Sequence, residues 1–279
     1  MRSNLPQIQL VVLDWAGTTV DYGCYAPVAA FVESLARFGI DVTPKQAREP
    51  MGLHKKDHLR ALLSMETIAS QWRVAHGRDW QESDVETLFN DQFVPLQLEV
   101  AVRHSRVVPG LLTCVDQLRT REIKLGTSTG YFRAAAEQVY ATAQQQGYTP
   151  DWNVCADDVP SGRPAPWMIY RNMERLQVFP PHHVLKIGDT VPDIQEGRNA
   201  GVWSVGVTHT SSEVGCTEAE FAALDDQERE RRVNAARQTL TDAGAHWVLD
   251  SVADLPDAIQ RVDRQLQDGR RPSDESYSV

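Results

Sequence analysis

The sequence predicts an α/β fold, a Rossmann-like doubly wound parallel sheet with a helical cap domain inserted after its first strand. Three observations predict it. Short apolar runs alternate with helix-period segments through much of the chain, the pattern of a parallel sheet covered on both faces. Three of these runs end in Asp14, Thr129 or Asp189, at the carboxyl ends where such sheets gather ligands. Between Tyr22 and Arg103 the alternation stops and only helical patterns remain.

Leu10-Val11-Val12-Leu13, closed by Asp14, reads as a fully buried strand. Ile123 to Gly126, ending in the hydroxyl cluster Thr127-Ser128-Thr129, and Val184 to Gly188, ending in Asp189, read alike. Trp203 to Val207 and Trp247 to Leu249 complete the expected strands. Helical patterns lie between them at Gly110–Arg121, Ala134–Gln146, Pro166–Leu176 and Asp193–Ala200, the last followed by Gly201 as a C-cap. The interrupting stretch reads as helices over Val28–Phe38, Thr43–Arg48, Lys56–Met65, Glu66–Gly77 and Ser83–Val100. These boundaries predict a core domain over residues 5–21 and 104–265, a cap over 22–103, and a polar, disordered tail over 266–279.

Composition bounds the function. With 279 residues, 42% hydrophobic and 24% charged, the chain is of ordinary globular make-up, which excludes collagen-like and low-complexity classes. Lys plus Arg number 28 against 38 Asp plus Glu, a net charge of −10. No basic patch suggests a nucleic acid or an anionic membrane as partner, so positive charge meeting an anionic substrate has to be local. No apolar run approaches the roughly 18 residues of a membrane span, and a signal-peptide core is absent. Cys24, Cys114, Cys155 and Cys216 are scattered without a CxxC pair, which argues against a disulfide framework or a zinc site and for a reduced, cytoplasmic protein.

Asp14-Trp15-Ala16-Gly17-Thr18-Thr19 puts a carboxylate at a strand end before a glycine turn. That arrangement offers an oxygen nucleophile beside backbone N–H groups able to hold an anion. Gly188-Asp189-Thr190-Val191-Pro192-Asp193 adds two carboxylates four residues apart at another strand end. Hard oxygens on separate loops suit Mg²⁺. Either motif alone also reads as an aspartate capping a helix; together, on one sheet, they point to a site.

In these residues the sequence resembles the haloacid dehalogenase superfamily of phosphotransferases, whose four motifs fall in order on Asp14, the Thr129 region, Arg163 and Gly188-Asp189 to Asp193. The resemblance implies that Asp14 is the nucleophile toward phosphorus. It implies that Asp14, Asp189 and the Ala16 carbonyl hold Mg²⁺ with Asp193 behind them, and that Thr129 or Ser128 binds a phosphoryl oxygen. Two positions depart from the superfamily's usual pattern. Ala16 stands where its phosphatases carry an aspartate that protonates the leaving alcohol, and losing a general acid costs about 10²–10⁴-fold. Arg163 stands in place of a lysine, keeping the charge and adding a planar fork.

Within that superfamily the chain resembles the phosphonoacetaldehyde hydrolase (phosphonatase) family. The resemblance is carried by Glu49-Pro50-Met51-Gly52-Leu53-His54-Lys55-Lys56-Asp57-His58, by Asp14 through Cys24, by Thr129-Gly130-Tyr131, by Asp157 through Trp167 and by Gly188 through Gly201. It implies hydrolysis of the P–C bond of phosphonoacetaldehyde to acetaldehyde and phosphate, through a Lys55 Schiff base and an Asp14 aspartyl phosphate. No alkoxide leaves in that reaction, so the aspartate missing at Ala16 is not needed. Lys55 has to be neutral to attack, with burial and nearby cations, Lys56 among the candidates, lowering its pKa. His58, three residues on and on the same helical face, is a candidate proton shuttle or else a surface histidine. Met51, Gly52, Cys24 and Tyr131 match pocket positions of the family, and His54 and Lys56 flank the amine. The family resemblance further implies a homodimer through the caps, with the apolar stripe of Val28–Phe38 as one candidate surface. A phosphatase or phosphomutase acting on small organic phosphates, or a hydrolase of a related aldehyde phosphonate, is the alternative; a decayed member kept for binding is another.

Overall fold

A computed structural model of the chain describes residues 7–274. The expected start of the core at residue 5 and the last residues of the tail, 275–279, lie outside that range. Six strands, β1 (Leu10–Leu13), β2 (Lys124–Thr129), β3 (Trp152–Cys155), β4 (Val184–Gly188), β5 (Trp203–Val207) and β6 (Trp247–Leu249), form one sheet in the order β3-β2-β1-β4-β5-β6. All pairings are parallel. The order reverses beside β1, so the carboxyl ends of β1, β2 and β4 meet over one crevice.

Both faces of the sheet are covered, which is why β1 and β4 are apolar without alternation. Leu10 and Val12 pack with Ile169, Met173 and Val202 on one side. Val11 and Leu13 join Leu111, Leu118, Leu255 and Ile259 on the other. The helices of the core are α7 (Leu111–Thr120), α8 (Arg133–Gln145), α9 (Trp167–Leu176), α10 (Val191–Ala200), α11 (Glu218–Ala223), α12 (Asp226–Asp242) and α13 (Leu255–Gln267). Among the described residues no helix is long and apolar enough to cross a membrane.

Three differences from the sequence reading have physical causes. First, β2 does not stop at Gly126 but continues through the hydroxyls to Thr129, paired with the unforeseen β3. Its polar groups are satisfied internally: Thr127 Oγ1 donates to Asn153 Oδ1 at 2.6 Å, and Asn172 Nδ2 donates to the Thr127 carbonyl at 2.9 Å. Second, α11, α12 and α13 are absent from the sequence expectation; α12 buries only Val233, Ala236 and Leu240, too narrow a stripe to read as periodicity. Third, the expected disorder from residue 266 is not what is found over the described part. Helix α13 runs to Gln267, and buried Pro272 accepts from Arg198 Nη1 at 3.1 Å. One buried proline docks a segment that composition alone marks as solvated.

Between β1 and β2 lie α1 (Tyr25–Ala36), α2 (Pro44–Arg48), α3 (Lys55–Leu63), α4 (Glu66–His76), α5 (Glu82–Thr87), a π-helical turn over Leu88–Phe93 and α6 (Val94–His104). The helix expected over 83–100 is thus α5, the turn and α6 in one continuous path. The two connections to the sheet run side by side: Val20 and Val107 form an antiparallel bridge, and Asp21 N donates to the Arg106 carbonyl at 3.1 Å. The apolar stripe of α1 faces inward. Phe31 and Leu35 are fully buried in the chain's own core, while Val32 and Phe38 of the same stripe are only partly covered.

Candidate active site

Strand β1 delivers Asp14 to the crevice, its N–H held by the Ile187 carbonyl of β4 at 3.0 Å. The chain then turns through Trp15–Val20, and Thr18, Thr19 and Val20 N–H groups all return to the Trp15 carbonyl. Gly17 makes the turn at φ +89°, where a Cβ would fall 2.3 Å from Asp189 Oδ2. Only glycine lets the two loops approach this closely.

Asp14, Asp189 and Asp193 offer carboxylate oxygens within 4.8 Å of one another, all buried. Thr18 Oγ1 donates to Asp189 Oδ1 at 3.2 Å and Ser212 N to Oδ2 at 2.8 Å. Burial, then repulsion from Asp14 and Asp193, pushes the Asp189 carboxyl well above the usual range. Burial likewise raises Asp14, against the pull of Arg163. For Asp193 burial also acts upward, but Arg163 and Lys186 outweigh it and hold the carboxyl low.

Arg163 lies beneath these groups, buried, with Nη2 on Asp14 Oδ1 at 2.5 Å, Nη1 on Asp193 Oδ1 at 2.9 Å and Nε on Glu196 Oε2 at 3.1 Å. Lys186, fully buried in β4, reaches Asp193 Oδ1 at 2.7 Å. Among the described residues, the cationic side chains within ion-pair distance of Asp14, Asp193 and Glu196 are Arg163 and Lys186. The excess of buried negative charge and the all-oxygen donor set suit a divalent cation, and Asp14, Asp189 and Asp193 could hold a metal ion.

The turn after α2, Pro50–Leu53, brings the cap down onto this crevice. Gly52 adopts φ +92°, and α3 begins at Lys55, capped by His54, whose Nδ1 accepts from Lys56 N at 3.3 Å. Lys55 is 3% exposed; its Nζ lies 5.1 Å from the ring centroid of Tyr131 and 5.7 Å from that of Phe31. Burial lowers its pKa to about 8, with Arg163 adding to the effect and Cys24 and Asp14 opposing it. One small cavity is lined by Asp14, Ala16, Cys24, Met51, Gly52, Lys55, Thr129, Tyr131 and Arg163, together with Pro27, Gly130 and Thr190. Its volume is about 20 Å³, room for about one water. A cleft of about 90 Å³ on the far side of Thr129, rimmed by Arg133 and Asp158, holds none of Asp14, Lys55 and Arg163.

Three sequence expectations are corrected here. Ser128 is not in the cavity: its hydroxyl is turned beneath, donating to Glu196 Oε2 at 3.0 Å, and Thr129 alone of the pair faces the site. Lys56 does not act on Lys55; its Nζ is held by Glu86 at 2.7 Å and points away. His58 is no surface residue. It is fully buried behind the cavity wall, stacked 3.7 Å from Phe31 and bonded through Nε2 to the Ala47 carbonyl at 3.0 Å. Burial and the neighbouring Lys55 lower its pKa well below the usual histidine range. Sequence reasoning misses Lys186, Glu196, Thr18 and Ser212. A lysine inside the apolar run Val184–Gly188 is the available signal, since a charge in a covered strand demands partners.

The fold and site define a hydrolase class. Residues 8–201 match the model of the haloacid dehalogenase-like hydrolase family. A phosphonoacetaldehyde hydrolase of Syntrophobacter fumaroxidans is 43% identical over 95% of both chains. A phosphonoacetaldehyde hydrolase-like protein of the same organism is 43% identical over 94% of both. The crystal structure of a phosphonoacetaldehyde hydrolase-like protein from Oleispira antarctica superposes with TM-score 0.93 at 40% identity, covering 98% of this chain and 99% of that one. The chain belongs to the haloacid dehalogenase-like hydrolases and, within them, to the phosphonoacetaldehyde hydrolase family.

Proposed function

We propose that the protein hydrolyses the P–C bond of phosphonoacetaldehyde, giving acetaldehyde and phosphate. The observation that carries this reading is the meeting, in one cavity, of a buried amine from the cap, Lys55, with Asp14 and Arg163 of the core and with Ala16 at the position of a proton donor. Displacement at phosphorus with no acid for the leaving group needs another outlet for the electrons, and an amine beside an aldehyde supplies one.

Lys55, neutral, adds to the aldehyde and loses water to form a protonated imine. Asp14 attacks phosphorus; the P–C bond breaks and its electron pair enters the iminium, leaving an enamine on Lys55 and a phosphoryl group on Asp14. The enamine takes a proton at carbon, and water releases acetaldehyde and the free amine. A further water cleaves the aspartyl phosphate. Arg163, through Nη2 on Asp14, holds the nucleophile in place and offsets the negative charge of the phosphoryl oxygens. Thr129 presents its hydroxyl to a phosphoryl oxygen, and Tyr131, Met51 and Cys24 exclude water around the imine. We propose Mg²⁺ as the metal, held by Asp14, Asp189 and the Ala16 carbonyl with Asp193 behind them. Bound there, it screens the dianionic phosphonate from the Asp14 and Asp189 carboxylates.

The deciding experiment is release of acetaldehyde and phosphate from phosphonoacetaldehyde with Mg²⁺. Wild type is expected to be active, Lys55→Ala inactive, and borohydride with substrate to trap an adduct on wild type alone; activity in Lys55→Ala sinks the Schiff base. The hydrolase-like name of one 43% identical relative favours, as second reading, a related aldehyde phosphonate, tested by assaying longer aldehydes. We also propose a cytoplasmic homodimer. Exposed Val74 and Val102 on α4 and α6 are the cap positions to mutate while following mass by light scattering.

A further inference from the structure

Glu196 lies on α10 one turn beyond Asp193 and is fully buried, yet it lines no part of the cavity. Its Oε2 accepts from Arg163 Nε at 3.1 Å and from Ser128 Oγ at 3.0 Å, and lies 3.6 Å from Lys186 Nζ. The same edge of the guanidinium that meets Glu196 through Nε meets Ser128 and Asp14 through Nη2: Nη2 donates to the Ser128 carbonyl at 2.6 Å, to its hydroxyl at 3.0 Å and to Asp14 Oδ1 at 2.5 Å. A guanidinium is planar, so fixing Nε fixes the direction of Nη2.

We propose that Glu196 is a positioning residue for the reaction: it locks the plane of Arg163 so that Nη2 points at the nucleophilic oxygen of Asp14. This rests on the aspartyl-phosphate reading above. Coulomb attraction alone does not require this contact, because Asp14 and Asp193 already bracket the guanidinium with two carboxylates. What Glu196 adds is orientation. Removing one partner of a buried ion pair weakens the fold whatever its role, so the mark of orientation is a loss of kcat with KM kept, not a loss of stability.

The experiment compares wild type, Glu196→Gln, Arg163→Lys and the double variant. With Glu196→Gln, kcat falls about 10–100-fold, as for other groups that orient a catalytic residue, while KM stays within about threefold. Lysine has no Nε edge to lock, so in the Arg163→Lys background Glu196→Gln costs no more than about twofold further. Wild-type kcat in Glu196→Gln, or an equal loss in both backgrounds, overturns the proposal. Glu196→Asp, which keeps the charge but withdraws it from Nε, is the second variant; a loss of kcat present with Arg163 and absent in the Arg163→Lys background supports the proposal, and no loss, or an equal loss in both, opposes it. A parallel measurement separates this inference from the reading it rests on: ¹⁹F NMR of the beryllofluoride adduct of Asp14 formed with Mg²⁺. If wild type forms the adduct without cleaving phosphonoacetaldehyde, the substrate assignment fails, and weakened adduct formation in Glu196→Gln still supports Glu196; unchanged formation refutes it. If wild type forms no adduct and cleaves no substrate, both fall.

Discussion

Gly52 of the cap lies so close to Thr190 of the core that a Cβ on Gly52 would fall 2.4 Å from Thr190 Oγ1. That hydroxyl donates to Asp193 Oδ2 at 2.6 Å, so the cap turn rests directly on a group that holds the carboxylate cluster. Gly52→Ala is therefore expected to strain the turn, whose φ is +92°, and to lift Lys55 from its seat. A displacement near 1 Å costs on the order of 10²-fold in turnover. Steady-state kinetics reads it, and wild-type kcat/KM in this variant shows that the seam has slack.

The amine has a definite pH signature. Burial places Lys55 near pKa 8, and on the proposed imine chemistry only the neutral form attacks. In the free enzyme kcat/KM should rise with pH, about tenfold per unit below that pKa, and level above it. A profile flat between pH 6 and 9 contradicts a neutral Lys55 as the reactive group.

Seating an ammonium there works against folding. The folded pKa, about 8, is below the ordinary 10.5, so the unfolded chain binds the proton more tightly. The penalty is fully present below about pH 8 and fades as pH rises toward the unfolded value; its size is about 3 kcal/mol. Lys55→Met is expected to be inactive yet more stable than wild type at pH 7 by up to that amount, with the difference shrinking toward pH 10. Urea denaturation at both pH values checks the sign.

Gly17 governs how closely the Asp14 and Asp189 loops approach. In Gly17→Ala the new methyl would meet Asp189 Oδ2 at 2.3 Å, on backbone at φ +89°. Mg²⁺ at a hundred times its dissociation constant should stabilise wild type by about 2.7 kcal/mol. Gly17→Ala should lose most of that gain along with activity. An equal thermal shift with Mg²⁺ in both proteins places the metal elsewhere.

How much of this is legible in sequence depends on range. Strand β1 and Asp14 stand out because a covered parallel strand is a bare apolar run closed by a polar residue. Asp189 and Asp193 stand out for the same reason at the end of β4. Strand β3 does not: it is four residues at the sheet's edge, with Trp152 38% exposed, and nothing in that stretch alternates or clusters. Lys55 emerges only as part of a longer motif, because a lysine at a helix start is by itself a solvated side chain. The directions of Ser128 and His58 are beyond reach. Strand phase decides which hydroxyl of Ser128-Thr129 looks up, and the stacking of His58 on Phe31 joins helices whose packing no local pattern encodes.

The cavity of about 20 Å³ has one further consequence. Phosphonoacetaldehyde, the substrate proposed above, has seven non-hydrogen atoms, more than that space holds with the cap seated as it is. On the proposed reading, substrate entry is expected to require the paired linkers near Val20 and Val107 to flex and part the cap from the sheet. Traffic through that hinge is then expected to set an upper limit on speed. The limit is observable: kcat should fall as solvent viscosity rises.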